Sequence, residues 1–131
     1  MKLLDTSVWI PFLRRKGDPA VKQRVANLIA ANEAAYTCPV WYELVSGALD
    51  QELQPLLKGL SFATRLELRV THWDLAAESG RTLRKAGITL PIDDLLIATV
   101  AVQSRIPIMC RDRHFTVIQS EIYHDLRVEQ L

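Results

Sequence analysis

The chain has 131 residues, 49% of them hydrophobic and 24% charged, with 16 Lys and Arg against 15 Asp and Glu for a net charge of +1. That length suits one ordinary domain, and the balance of apolar and charged residues excludes a disordered chain. No apolar run approaches the ~20 residues of a membrane-spanning helix, and Met1-Lys2-Leu3-Leu4-Asp5 meets an acid too early for a secretory leader, so a cytoplasmic location is expected.

Lys2 to Leu4 reads as a short strand running into Asp5, after which Thr6 and Ser7 can cap a helix over roughly residues 8–14. Gly17-Asp18-Pro19 is a break, with Pro19 opening a helix in which Val21, Val25, Leu28 and Ile29 recur at helical spacing. Residues 34–37 suit a second strand, and Pro39 starts another helix. Residues 51–63 look helical again, with Pro55 near their start. Leu66, Leu68 and Val70 alternate with Glu67 and Arg69, the pattern of a half-buried strand. Trp73, Ala76, Ala77, Gly80 and Leu83 return to helical spacing, ending near Gly87. Pro91 and Asp93-Asp94 open an almost wholly apolar helix through Gln103. Residues 106–110 read as a strand, and Leu126 and Val128 as a last alternating piece.

Strands alternating with helices predict an α/β fold with a mainly parallel sheet, in one domain over residues 1–131. There is no repeat, low-complexity tract or Gly/Ser linker. Cys38 and Cys110 form no C-x-x-C pair and sit in or beside apolar stretches, which predicts reduced, buried thiols.

The acids carry the functional signal. Asp5 follows the first strand directly, Asp112 follows the strand at 106–110 by two residues, and Asp93 and Asp94 stand at the mouth of the apolar helix. In a parallel sheet the C-terminal ends of strands and the N-termini of helices share one edge, and ligands bind there. Glu43 is a lone acid among Val40, Trp41, Tyr42, Leu44 and Val45, with Gly47 one turn later leaving space on its side. Each acid alone has an ordinary reading as a cap, a turn residue or a solvated side chain. Four on one edge would repel strongly unless protonated or neutralised by cations. Oxygen donors select a hard ion, Mg²⁺ or Mn²⁺, and such a pit suits phosphodiester hydrolysis. With four carboxylates committed to metal, 16 basic side chains face 11 acidic ones over the remaining surface, so a near-neutral total can hide a basic rim.

Four segments, Leu4-Asp5-Thr6-Ser7-Val8-Trp9-Ile10, Tyr42-Glu43-Leu44-Val45-Ser46-Gly47, Pro91-Ile92-Asp93-Asp94-Leu95-Leu96-Ile97-Ala98 and Arg111-Asp112-Arg113-His114-Phe115, resemble in order and spacing the motifs of the PIN domain family, specifically the VapC-type toxin ribonucleases. The resemblance implies a three-layer α/β/α sandwich and a Mg²⁺-dependent endoribonuclease, with Mn²⁺ as a substitute ion. It also implies an antitoxin partner from the same operon and commonly a homodimer. Asp5, Glu43, Asp94 and Asp112 match the family's acidic quartet. Ser7, next to Thr6, matches a small polar residue near the metal. The third motif, Asp-x-x-Ile-Ala, selects Asp94 over Asp93, which is left as the helix cap. Cys110 departs from the Thr or Ser usual two residues before the fourth acid.

Other readings fit less well. A haloacid-dehalogenase phosphatase needs a second Asp where this chain has Ser7, and a receiver domain usually places a Lys where it has Arg111. A Ser7-His114-Asp112 hydrolase lacks the Gly-x-Ser-x-Gly elbow, and His72, His114 and His124 show no metal-ligand spacing, which reads them as surface or turn residues. The non-enzyme alternative is a catalytically degenerate interaction module that acts only by binding an antitoxin-like partner. Arg84, Lys85, Arg111 and Arg113 are expected near the strand-end edge as RNA-binding residues. Trp9, Phe12 and Trp73 are aromatic candidates for a groove that takes a partner helix.

Overall fold

The computed structural model describes residues 1–131. Its elements are β1 (Lys2–Leu4), α1 (Thr6–Leu13), α2 (Pro19–Ala30), β2 (Ala34–Thr37), α3 (Cys38–Gly47), α4 (Asp50–Ser61), β3 (Thr64–Leu66), α5 (Val70–Lys85), α6 (Ile92–Ser104), β4 (Ile108–Cys110), α7 (His114–Glu121) and β5 (Val128–Gln130). All strand pairings are parallel, in the order β3-β2-β1-β4-β5. Parallel neighbours need crossovers, and crossovers are right-handed. With this order, α1 to α4 cover one face of the sheet and α5 to α7 the other. The packing agrees: α1 lies against α2 and α3, and α6 against α5 and α7. The expected α/β/α sandwich is present, and its sheet is wholly parallel.

Local chemistry explains most element starts. Asp18 accepts the Ala20 N–H at 2.9 Å and Pro19 supplies the first helical residue of α2. Pro39 stands second in α3, within the first turn where its missing N–H leaves no helical bond unmade. Gly17 is required because a Cβ there would stand 1.8 Å from the Pro11 carbonyl oxygen. Gly87, at φ +79°, ends the turn after α5 in a conformation that side chains resist. Helix α6 is buried continuously from Asp94 to Ala101 between the sheet and its neighbouring helices. Each large apolar side chain there, Ile97 for example, stabilises the fold by roughly 1.5–3 kcal/mol.

Five local expectations change. Asp5, not Thr6 or Ser7, caps α1. The strand over residues 66–70 stops at Leu66 and a helix begins at Val70, because the buried His72 ring accepts the Arg69 N–H at 2.9 Å and fixes a helix start there. His72 is therefore a buried cap and not a surface residue. The sequence pattern names no element over residues 114–121, where α7 lies with Phe115 and Ile118 buried. Cys110 is buried as expected, but Cys38 is only half-buried.

Candidate functional site

The strand order creates one position where the chain leaves neighbouring strands in opposite directions. From β1 it moves toward β2, and from β4 toward β5. The crevice beyond the carboxyl ends of two such strands is where open α/β sheets bind ligands. Asp5 stands at the end of β1 and Asp112 just past the end of β4. Asp94 joins them from the first turn of α6, and Glu43 from α3. Together with Asp93, Thr6, Ser7 and His114 they line a pit of about 320 Å³ whose wall holds no Lys or Arg.

Hydrogen bonds fix the floor of this pit. The Ser7 hydroxyl donates to Asp5 Oδ2 at 2.6 Å, and the Ser7 N–H donates to the same oxygen at 3.1 Å. Ser7 Oγ also accepts the Arg111 N–H at 2.9 Å. One hydroxyl thus ties the end of β1 to the loop after β4. Asp112 Oδ1 accepts the His114 N–H at 2.9 Å, which holds that carboxylate at the start of α7. His114 Nδ1 lies 2.6 Å from Asp94 Oδ2 and 3.2 Å from Asp112 Oδ1. Cys110 turns its thiol toward the Asp112 carbonyl and Gln130, away from any role as a hydroxyl. Burial pushes that thiol up to about 12.

The carboxylates are costly to ionise as they stand. Asp5 and Asp94 are 4% and 6% exposed. Burial raises Asp5 above the usual carboxylate range against the opposing bonds from Ser7. Burial raises Asp94 to about 6 against the bond from His114. Glu43 is raised to about 7, first by a hydrogen bond with the Asp93 carboxyl and then by burial. His114 is raised chiefly by its bond to Asp94. Thr6 Oγ1 is buried in the same wall and has no hydrogen-bond partner. Oxygen donors converging on a pit without Lys or Arg, beside an orphaned hydroxyl, fit a hard divalent cation.

The structure thus brings Asp5, Glu43, Asp94 and Asp112 to one pit, with Ser7 and Thr6 beside them. Two assignments need correction. Asp93 is not the cap of α6: Pro91 holds that position, and the Asp93 carboxyl turns to Glu43. His114 is not a bystander, since its ring sits between two of the acids. Its two-residue distance from Asp112 was the only signal available in the sequence. Arg84 and Lys85 are exposed in the last turn of α5, on a neighbouring apolar groove of about 580 Å³ with Trp73 and Ile92. Arg111 and Arg113 flank Asp112, with Arg111 3.9 Å from Asp18. Of the three aromatic candidates, Trp9 is fully buried in the core, Phe12 is half-buried, and Trp73 is 47% exposed.

Comparison with known proteins places this geometry. The family model described as "PIN domain" matches residues 2–120. Ribonuclease VapC11 of Mycobacterium tuberculosis is 36% identical over 128 residues, covering 90% of this chain and 91% of that protein. Among solved structures, a chain of the VapBC2 crystal structure from Rickettsia felis, bound to a DNA fragment from their promoter, superposes with a TM-score of 0.81 at 19% identity. The match covers 99% of this chain and 98% of that one. A chain of DNA-bound VapBC from Salmonella typhimurium superposes with a TM-score of 0.80 at 16% identity, covering 98% and 96%. At these identities the structural matches speak for the fold alone.

Proposed function

The chain belongs to the PIN domain family, and from that membership we propose that it is a divalent-metal-dependent endoribonuclease, the toxin of a type II toxin–antitoxin pair, with residues 1–131 acting as one nuclease domain. The observation that carries this reading is the convergence of Asp5, Glu43, Asp94 and Asp112, from four separate segments, on one pit lined by no Lys or Arg. The relative named a ribonuclease supports RNA as the substrate. No helix is long and apolar enough to cross a membrane, and the reading places the protein in the cytoplasm with its RNA.

In this reading Asp5, Glu43, Asp94 and Asp112 would hold the ion, Mg²⁺ or Mn²⁺. When bound, a divalent ion lowers the pKa of an attacking water, orients the phosphate and stabilises the leaving oxygen. The chain's own residues prepare the site. Ser7 holds Asp5 in one orientation through two bonds to the same oxygen. The His114 N–H does this for Asp112. Glu43 is raised to about 7 by its hydrogen bond with the Asp93 carboxyl and by burial, and ionising it gives the pit a further carboxylate. Arg84, Lys85, Arg111 and Arg113 are proposed to hold the phosphates of the incoming strand. Single-stranded or looped RNA suits such a site because its bases can be splayed out.

A second groove of about 400 Å³ runs along α1, α3 and α4 and shares Thr6, Ile10 and Glu43 with the pit. We assign it to a segment of the antitoxin that folds on binding and reaches an Arg or Lys toward the acids. A homodimer belongs to the same reading.

The test is calorimetric titration of the purified chain with Mg²⁺ and Mn²⁺, paired with RNA cleavage with and without EDTA. The expected result is ion binding and cleavage that EDTA abolishes. A chain that binds neither ion, with no cleavage under any condition, would leave the interaction-module alternative standing. Co-purification with the product of a neighbouring gene and growth arrest on expression test the toxin assignment separately.

A further inference from the structure

His114 opens α7 in the loop beyond β4, and two contacts define its place. Its backbone N–H donates to Asp112 Oδ1 at 2.9 Å, and its ring nitrogen Nδ1 lies 2.6 Å from Asp94 Oδ2 and 3.2 Å from Asp112 Oδ1. One donor atom from each of these three residues falls within 4.8 Å of the others. Around an octahedral ion with ligands at 2.0–2.1 Å, neighbouring donors stand about 3 Å apart. The nitrogen is therefore spaced from both carboxylates as a fellow ligand would be. The orphaned Thr6 hydroxyl in the same wall marks the pit independently as a place where a polar ligand is missing a partner.

We propose that His114 is itself a ligand of the ion, through Nδ1, and that this nitrogen makes the pit prefer a transition-metal ion such as Mn²⁺ over Mg²⁺. The inference rests on the metal-nuclease reading above and adds to it a nitrogen donor outside the acidic quartet. Carboxylates suit Mg²⁺ and Mn²⁺ alike, whereas imidazole suits transition metals, and Mg²⁺ exchanges its own water for nitrogen reluctantly. In the metal-free chain Nδ1 and Asp94 Oδ2 are hydrogen-bonded at 2.6 Å.

The experiment titrates Mn²⁺ and Mg²⁺ by calorimetry into the wild-type chain, His114→Ala and His114→Gln, and records pulsed electron paramagnetic resonance of the Mn²⁺-loaded proteins. The wild type should show a nitrogen hyperfine coupling that both variants lose. Mn²⁺ affinity should fall about 10–100-fold in the variants, taking the loss seen for supporting residues as a floor, while Mg²⁺ affinity falls much less. The backbone bond to Asp112 survives either substitution, and Gln keeps a polar partner for Asp94, so the acids stay in place. Mn²⁺ bound to the wild type without nitrogen coupling, or equal losses for both ions, overturns the proposal. If neither ion binds the wild type, the metal-site reading fails and this inference falls with it.

Discussion

The metal-free chain should lose stability as pH rises, and a divalent ion should restore it. Burial raises Asp94 from 3.8 to about 6 in the fold, so the native state keeps a proton that the unfolded chain has released. Stability conferred by such a group is full below the unfolded value and declines as pH climbs through the folded one. The shift corresponds to at most about 3 kcal/mol, most of it lost between pH 4 and 6. Asp5 is raised by burial and works in the same direction. His114, raised by its bond to Asp94, favours the protonated fold and adds a further loss above pH 6.5. For a chain of this size, about 3 kcal/mol corresponds to a fall in Tm on the order of 10 °C. Thermal melts in EDTA at pH 4.5, 6 and 7.5, repeated with millimolar Mn²⁺, measure it. The ion should raise Tm most at pH 7.5, because it binds only the folded, ionised pit. Asp94→Asn should shrink the pH dependence and abolish the ion's effect at once. A Tm in EDTA that is flat or rises between pH 4.5 and 7.5 would refute the reasoning.

Asp94→Asn should abolish RNA cleavage with the fold intact, whereas Asp93→Asn, which can still hydrogen-bond Glu43 while removing a charge, should retain most of it; cleavage rates and far-UV circular dichroism side by side decide this. The products should carry 5′-phosphate and 3′-hydroxyl ends, and cyclic phosphates or full activity in EDTA would point to a metal-free mechanism. Ser7→Ala removes both the donor to Asp5 and the acceptor of the Arg111 N–H. It should weaken ion binding about 10–100-fold and cost about 1–3 kcal/mol by denaturant titration. Replacing Arg84 and Lys85 with Ala should weaken RNA binding and flatten its dependence on salt; an unchanged slope in a filter-binding series would remove them from the RNA path.

Much of this protein was legible in one dimension because the signals are local. Pro19 and Pro39 mark helix starts by their fixed φ. The apolar run after Asp94 reads as a buried helix, and residues 34–37 form the strand they resemble. Once the strands were read as parallel, the acids after β1 and β4 and at the head of α6 had to share an edge, since crossovers return each strand in the same direction. What tertiary structure decided is what depends on partners distant in the chain. The order β3-β2-β1-β4-β5 opens the crevice between β1 and β4, and no local pattern sets that order. Asp93 and Asp94 are chemically identical and adjacent, and only the position of α3 against α6 turns one of them to Glu43. His114 meets Asp94 across 20 residues, and Ser7 meets Arg111 across 104. Side-chain spacing along a helix or strand is set by backbone geometry and can be read from sequence. Contacts between elements follow from how the whole core packs, so the ring between the two acids and the hydroxyl that ties two strand ends exist only in the folded chain.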